Sequence, residues 1–99
     1  MKELNGMTAL ITGGSKGIGY GIAEMLLKEG VNVAITSRHQ DAADAAAREL
    51  SKTGPGKIIG IAADVRDFES QKNAVAKTLE TFGHLHVLVA NAGVGHFAP

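Results

Sequence analysis

The chain has 99 residues, 44% of them hydrophobic, with ten Lys and Arg set against ten Asp and Glu for a formal charge of zero. That length supports one small globular domain, and the neutral balance removes the long-range field on which nucleic-acid and anionic-membrane binders rely. With no cysteine, neither a disulfide framework nor a thiolate metal site is possible.

The start, Met1-Lys-Glu-Leu-Asn-Gly-Met7, lacks the apolar stretch of a leader or a membrane span, so a cytoplasmic protein is expected. Thr8 to Ile11 reads as a strand too uniformly apolar for a one-sided sheet. A helix from about Ile18 to Glu29 follows, with Ile22, Met25 and Leu26 as its apolar stripe and Gly30 as its stop. The next strand is Val31 to Thr36. Gln40 to Lys52 is alanine-rich and helix-forming, and Thr53-Gly-Pro-Gly56 breaks it. Ile58 to Ala62 is the third strand. Asp67 is placed to cap a helix carrying Val75, Leu79 and Phe82, which Gly83 ends, and His86 to Ala90 is the fourth strand. Strand-length apolar runs alternating with helical segments are the pattern of repeated βαβ units, so an α/β fold with a parallel sheet, in the order βαβαβαβ, is expected. No second domain is expected within residues 1–99.

Between the first strand and the first helix lies Thr12-Gly-Gly-Ser-Lys-Gly-Ile-Gly19. Glycines at such a junction let the backbone turn sharply and approach a pyrophosphate, while the N–H groups and positive dipole end of the helix attract the anion. The spacing of Gly13, Gly17 and Gly19 departs from G-x-G-x-x-G, and no Gly-Lys-Ser/Thr closes a Walker loop, which argues against a nucleoside-triphosphate hydrolase. A dinucleotide held by a Rossmann-like, doubly wound sheet is the expected ligand, with Gly13, Ser15, Lys16, Gly17, Ile18 and Gly19 around its phosphates.

The end of the second strand decides which dinucleotide. NAD is recognised there by a carboxylate on its ribose hydroxyl, and this chain instead has Thr36-Ser37-Arg38-His39. A hydroxyl from Ser37 and a guanidinium from Arg38, with Lys16 nearby, suit the 2′-phosphate of NADP, which an acid there would repel. Arg38 is equally readable as a solvated surface arginine; the missing acid favours NADP over NAD.

Three motifs in order, Thr12-Gly13-x-x-x-Gly17-x-Gly19, Ala63-Asp64-Val65 after the third strand and Asn91-Ala92-Gly93 after the fourth, resemble the short-chain dehydrogenase/reductase family over the whole chain. The resemblance implies that Asp64 and the Val65 backbone border the adenine, and that Asn91, Ala92 and Gly93 line the path to the nicotinamide ribose. It also implies hydride transfer between NADP(H) and a small carbonyl or alcohol substrate, in a protein that is a homo-oligomer when complete. Many members carry two asparagines before Ala-Gly, where this chain has Ala90-Asn91, so some polar support of the fourth strand is missing. The family's chemistry uses a tyrosine, a lysine four residues later and an upstream serine. Here the single tyrosine is Tyr20 and the residue four later is Glu24, so no catalytic residue is assigned. The chain therefore reads as an incomplete domain, a cofactor-binding front half that is not catalytic alone and leaves its fourth strand as an apolar sheet edge. The alternative is a non-catalytic dinucleotide-binding module, or a half-domain needing a complementary chain.

Other ionisable groups take plainer roles. His84 and His86 share one face of an extended segment, but two ligands without a third do not make a metal site, and none is assigned. Asp67 is explained as a helix cap and Asp64 as a strand-end residue, so the two are not read as an acid/base pair.

Overall fold

The computed structural model describes residues 2–91. A single 3₁₀ turn at Lys2–Leu4 precedes β1 (Thr8–Thr12), α1 (Gly17–Lys28), β2 (Asn32–Ser37), α2 (Gln40–Leu50), β3 (Ile58–Ala62), α3 (Phe68–Phe82) and β4 (Val87–Ala90). The four strands are all parallel and lie in the order β3-β2-β1-β4. The chain winds outward from β1 through β2 to β3, then crosses back to the other side of β1. The order therefore reverses between β1 and β4, and in sheets of this kind the crevice beyond the carboxyl ends of the strands at that point is where ligands bind.

Alternation along β1 explains the three layers. Ala9 and Ile11 face one way and join Val33, Ile35, Ala23, Leu27, Ala46 and Leu50 in a core beneath α1 and α2. Leu10 faces the other way, with Ala34, Ile61, Ala63 and Ala74, beneath α3. A strand buried on both faces has no position for a charged residue, which is why β1 reads as a continuous apolar run.

The helix ends follow local chemistry. Gly30 and Gly83 both adopt left-handed backbone, with φ of 84° and 86°, as expected of glycines that stop a helix. The Asp67 carboxylate accepts from the Glu69 N–H at 3.0 Å and caps α3.

The buried faces of two helices differ from the expected stripes. In α1 the fully covered seam is Gly19, Ala23 and Leu27, Ile22 and Leu26 pack at its border, and Met25 is 60% exposed. In α3 the buried positions are Ala74 and Thr78, while Leu79 is 43% exposed. The reason is the same in both: small residues at i and i+4 let the helix axis approach the sheet, so the centre of contact falls on them and the larger side chains fan out to the sides. At the sheet edge, Val87 and Leu88 of β4 are exposed, the latter by 58%. Among the described residues no helix is long and apolar enough to cross a membrane.

Candidate functional site

At the carboxyl end of the sheet, the loop from Gly13 to Lys16 is held by the strands on either side of it. From β2, the fully buried Thr36 accepts the Gly13 N–H on its Oγ1 and the Gly14 N–H on its carbonyl, each at 3.1 Å. From the β4 side, the Asn91 N–H donates to Thr12 Oγ1 at 3.1 Å, and the Asn91 side-chain amide donates to the Gly13 carbonyl at 3.3 Å. Thr12 Oγ1 in turn donates to the Val89 carbonyl at 3.4 Å. The two threonines, whose role was not foreseen, therefore tie the loop to β2 and β4. Their only sequence signal is a hydroxyl in the last turn of an apolar strand, where a strand-forming residue is expected anyway.

Glycine is required here for two separate reasons. Gly13 and Gly17 have φ of 71° and 68°, backbone that L side chains rarely adopt. Gly19 is required by space: a Cβ there would stand 2.8 Å from the Gly13 carbonyl oxygen and 2.8 Å from the Asn91 amide nitrogen. The start of α1 is thus pressed against the loop, whereas a Cβ on Gly17 would meet nothing within 4 Å.

Lys16 occupies the cap position of α1 in extended backbone and its side chain makes no cap bond, and the first turn holds no acidic residue. The first N–H groups of a helix require an acceptor, and a dianionic diphosphate is one. Open space beside Gly17, an uncapped helix start and a lysine at its mouth fit the phosphates of a dinucleotide.

Beside the loop, between α1 and α2, a cleft of about 410 Å³ is lined by Ser15, Lys16, Tyr20, Ser37, His39 and Glu49 over a floor of Ala42, Ala45 and Ala46. It gathers three of the expected site residues, Ser15, Lys16 and Ser37, and adds three unforeseen ones, Tyr20, His39 and Glu49. Arg38 is exposed and is not among the lining residues. Its charge is instead felt at Asp64. Ile18 is exposed at the first turn of α1.

Past β3, Asp64 is engaged by its own neighbour. Arg66 donates from Nε to Oδ1 at 3.1 Å and from Nη2 to Oδ2 at 3.0 Å, and the Arg66 backbone N–H also reaches Oδ1 at 2.9 Å. These bonds hold the Asp64 carboxyl at about 2, below the usual carboxylate range, with the Arg66 side chain the largest cause. Val65 lines a second pocket of about 280 Å³, on the opposite face, with Leu10, Thr12, Gln71, Val75, Leu88 and Ala90. Asn91 is the last described residue; Ala92 and Gly93 lie outside the described residues.

The histidine pair stands at the opposite end of the sheet, around Thr8. The Thr8 N–H donates to His86 Nδ1 at 3.0 Å, and Thr8 Oγ1 lies 3.0 Å from His84 Nδ1. A His86 ring that accepts at Nδ1 carries its neutral-state proton on Nε2, which leaves no lone pair there for a metal. Among the described residues no group of three or more potential metal ligands occurs.

A sequence model described as short chain dehydrogenase matches residues 7–99. Oxidoreductase UcpA of Salmonella typhimurium is 45% identical over 94 residues, covering 95% of this chain and 35% of the relative. Dehydrogenase/reductase SDR family member 4 of Caenorhabditis elegans is 41% identical, covering 94% of this chain and 36% of its own. Among solved structures, a short chain dehydrogenase from Mycobacterium thermoresistibile superposes with a TM-score of 0.84 at 38% identity, over 90% of this chain and 34% of that one. A 3-ketoacyl-(acyl-carrier-protein) reductase from Brucella melitensis, complexed with NADH, superposes at 0.76 with 33% identity, over 86% of this chain and 34% of that one. The chain spans about a third of the length of these relatives.

Proposed function

The chain belongs to the short-chain dehydrogenase/reductase family, and from that premise we propose that it is the NADP-holding portion of an oxidoreductase acting on a small carbonyl or alcohol. The observation that carries this reading is the cleft of Ser15, Lys16 and Ser37 beside an uncapped helix start, with no carboxylate where β2 ends. Ser15, Lys16 and Ser37 receive the 2′-phosphate, and Arg38 closes over it from the rim. The N–H groups of Gly17, Ile18 and Gly19 take the diphosphate. Asp64 and Val65 border the adenine, and Asn91, Ala92 and Gly93 approach the nicotinamide ribose. When bound, the dinucleotide supplies or accepts the hydride.

The residues of this chain bind and orient; they do not perform the proton transfer. Tyr20 is followed four residues later by Glu24 rather than lysine, and its hydroxyl is bonded to Glu49. The catalytic groups belong elsewhere in the working protein, which we read as cytoplasmic and homo-oligomeric. A second reading, a half-domain completed by another chain, is favoured by the exposed apolar residues Val87 and Leu88 on β4, and the solution mass of the protein distinguishes it.

The test is comparative binding. NADPH should bind more tightly than NADH, and Lys16→Ala and Arg38→Ala should each weaken NADPH about tenfold, as loss of one charge-assisted contact of about 1.5 kcal/mol implies. NADH affinity should change little. A wild-type protein that binds both nucleotides equally refutes the assignment.

A further inference from the structure

The cleft beside the glycine loop holds a negative charge that the cofactor assignment does not use. The Tyr20 hydroxyl on α1 donates to Glu49 Oε1 on α2 at 2.7 Å, and both side chains line the same cleft as Lys16, Ser37 and His39. That bond raises the Tyr20 hydroxyl above its ordinary value, chiefly through the Glu49 hydrogen bond, with the charges of Glu49 and Glu24 adding to it. Tyr20 therefore stays a neutral donor, and it fixes a carboxylate that has no ion-pair partner among the described residues. The charged residues lining the cleft are then Lys16 at the helix mouth and Glu49 on α2.

We propose that Glu49, oriented by Tyr20, is a specificity-determining counter-charge that limits how strongly this protein prefers the 2′-phosphorylated dinucleotide. The inference rests on the cleft being the seat of that phosphate. A ribose phosphate carries between one and a half and two negative charges at neutral pH, by analogy with phosphorylated side chains of about −1.5 to −2. Lys16, Ser15 and Ser37 attract it, and Glu49, lining the same cleft, opposes it by a like-charge repulsion that salt screens. An unphosphorylated ribose bears no charge for Glu49 to repel, and its hydroxyl can donate to the carboxylate. Discrimination is a difference between two affinities, so Glu49 narrows the difference that the lysine and hydroxyls create. Its consequence is a protein that keeps usable affinity for the unphosphorylated dinucleotide.

Glu49→Gln removes the charge and keeps an oxygen to accept from Tyr20. We expect NADPH to bind the purified variant three- to tenfold more tightly than wild type at low salt, with NADH within about twofold, and the gain should shrink at high salt as screening sets in. Glu49→Lys should take NADPH further in the same direction. Unchanged NADPH affinity, or a parallel change for both nucleotides, overturns the proposal, since a purely structural role would move both alike. Lys16→Ala, measured alongside, separates two kinds of failure. If it weakens NADPH alone while Glu49→Gln has no effect, only the counter-charge falls; if it weakens both nucleotides equally, the phosphate seat falls with it.

Discussion

Two glycines two residues apart in α1 should respond to alanine with opposite signs. At Gly19 the new methyl would lie 2.8 Å from the Gly13 carbonyl oxygen, 2.8 Å from the Asn91 amide and 3.0 Å from Gly14 Cα. Two of those three neighbours are backbone of a loop pinned by Thr36, so the strain cannot be relieved by turning one side chain. Overpacking of this kind costs about 1–3 kcal/mol, and displacing Asn91 from the Gly13 carbonyl adds about 0.5–1.5 kcal/mol. Alanine's helix propensity returns at most about 1 kcal/mol. Gly19→Ala should therefore destabilise by about 1–3 kcal/mol and weaken dinucleotide binding, because the loop must move. At Gly21 a methyl meets nothing within 4 Å, so Gly21→Ala should stabilise by about 0.5–1 kcal/mol through helix propensity alone. Urea denaturation of both variants and NADPH titration of each provide the comparison. A Gly19→Ala protein as stable as Gly21→Ala, with binding intact, would refute the claim that helix and loop are in contact at this point.

Thr36→Val keeps the shape and strand preference of the residue but leaves the Gly13 N–H without its acceptor; about 1–3 kcal/mol of stability should be lost, and a change below the error of a denaturation curve would remove Thr36 as a pin. Asp64 titrates at about 2 in the fold against an ordinary 3.8, so its small stabilising contribution is present above pH 4 and disappears as the pH falls from there through 2. Arg66→Ala should move that titration up toward 3.8 in a carbon-13 carboxyl titration, and an unmoved midpoint would mean that Arg66 is not its main cause.

What could be read from the sequence was whatever a short stretch determines by itself. Gly30 and Gly83 end helices because left-handed backbone is a local demand, and Asp67 caps α3 through an N–H only two residues away. The apolar run of β1 implied burial on both faces, and the structure places Ala9 and Leu10 in different cores. Legibility failed where the deciding partner is distant. Met25 and Leu79 fit a helical stripe, yet which residues face the sheet is set by how closely Ala23 and Ala74 allow each helix to approach. Tyr20 meets Glu49 across 29 positions, and Thr12 meets Asn91 across 79, separations at which no spacing rule operates. Arg38 is exposed beside the cleft rather than in its lining, a placement that its residue type alone does not specify.

The hydrogen bonds from Thr36 and Asn91 also bear on how a ligand would arrive. A loop already fixed by the protein's own donors and acceptors has little conformational freedom left to surrender on binding, so association should be a docking onto a finished surface, limited by orientation rather than by folding of the loop. The same arrangement transmits disturbance. Asn91 follows directly after β4, so any slip in the β1–β4 register carries its amide away from Gly13 and slackens the loop, and the alignment of an exposed edge strand becomes a determinant of how rigid the cradle is.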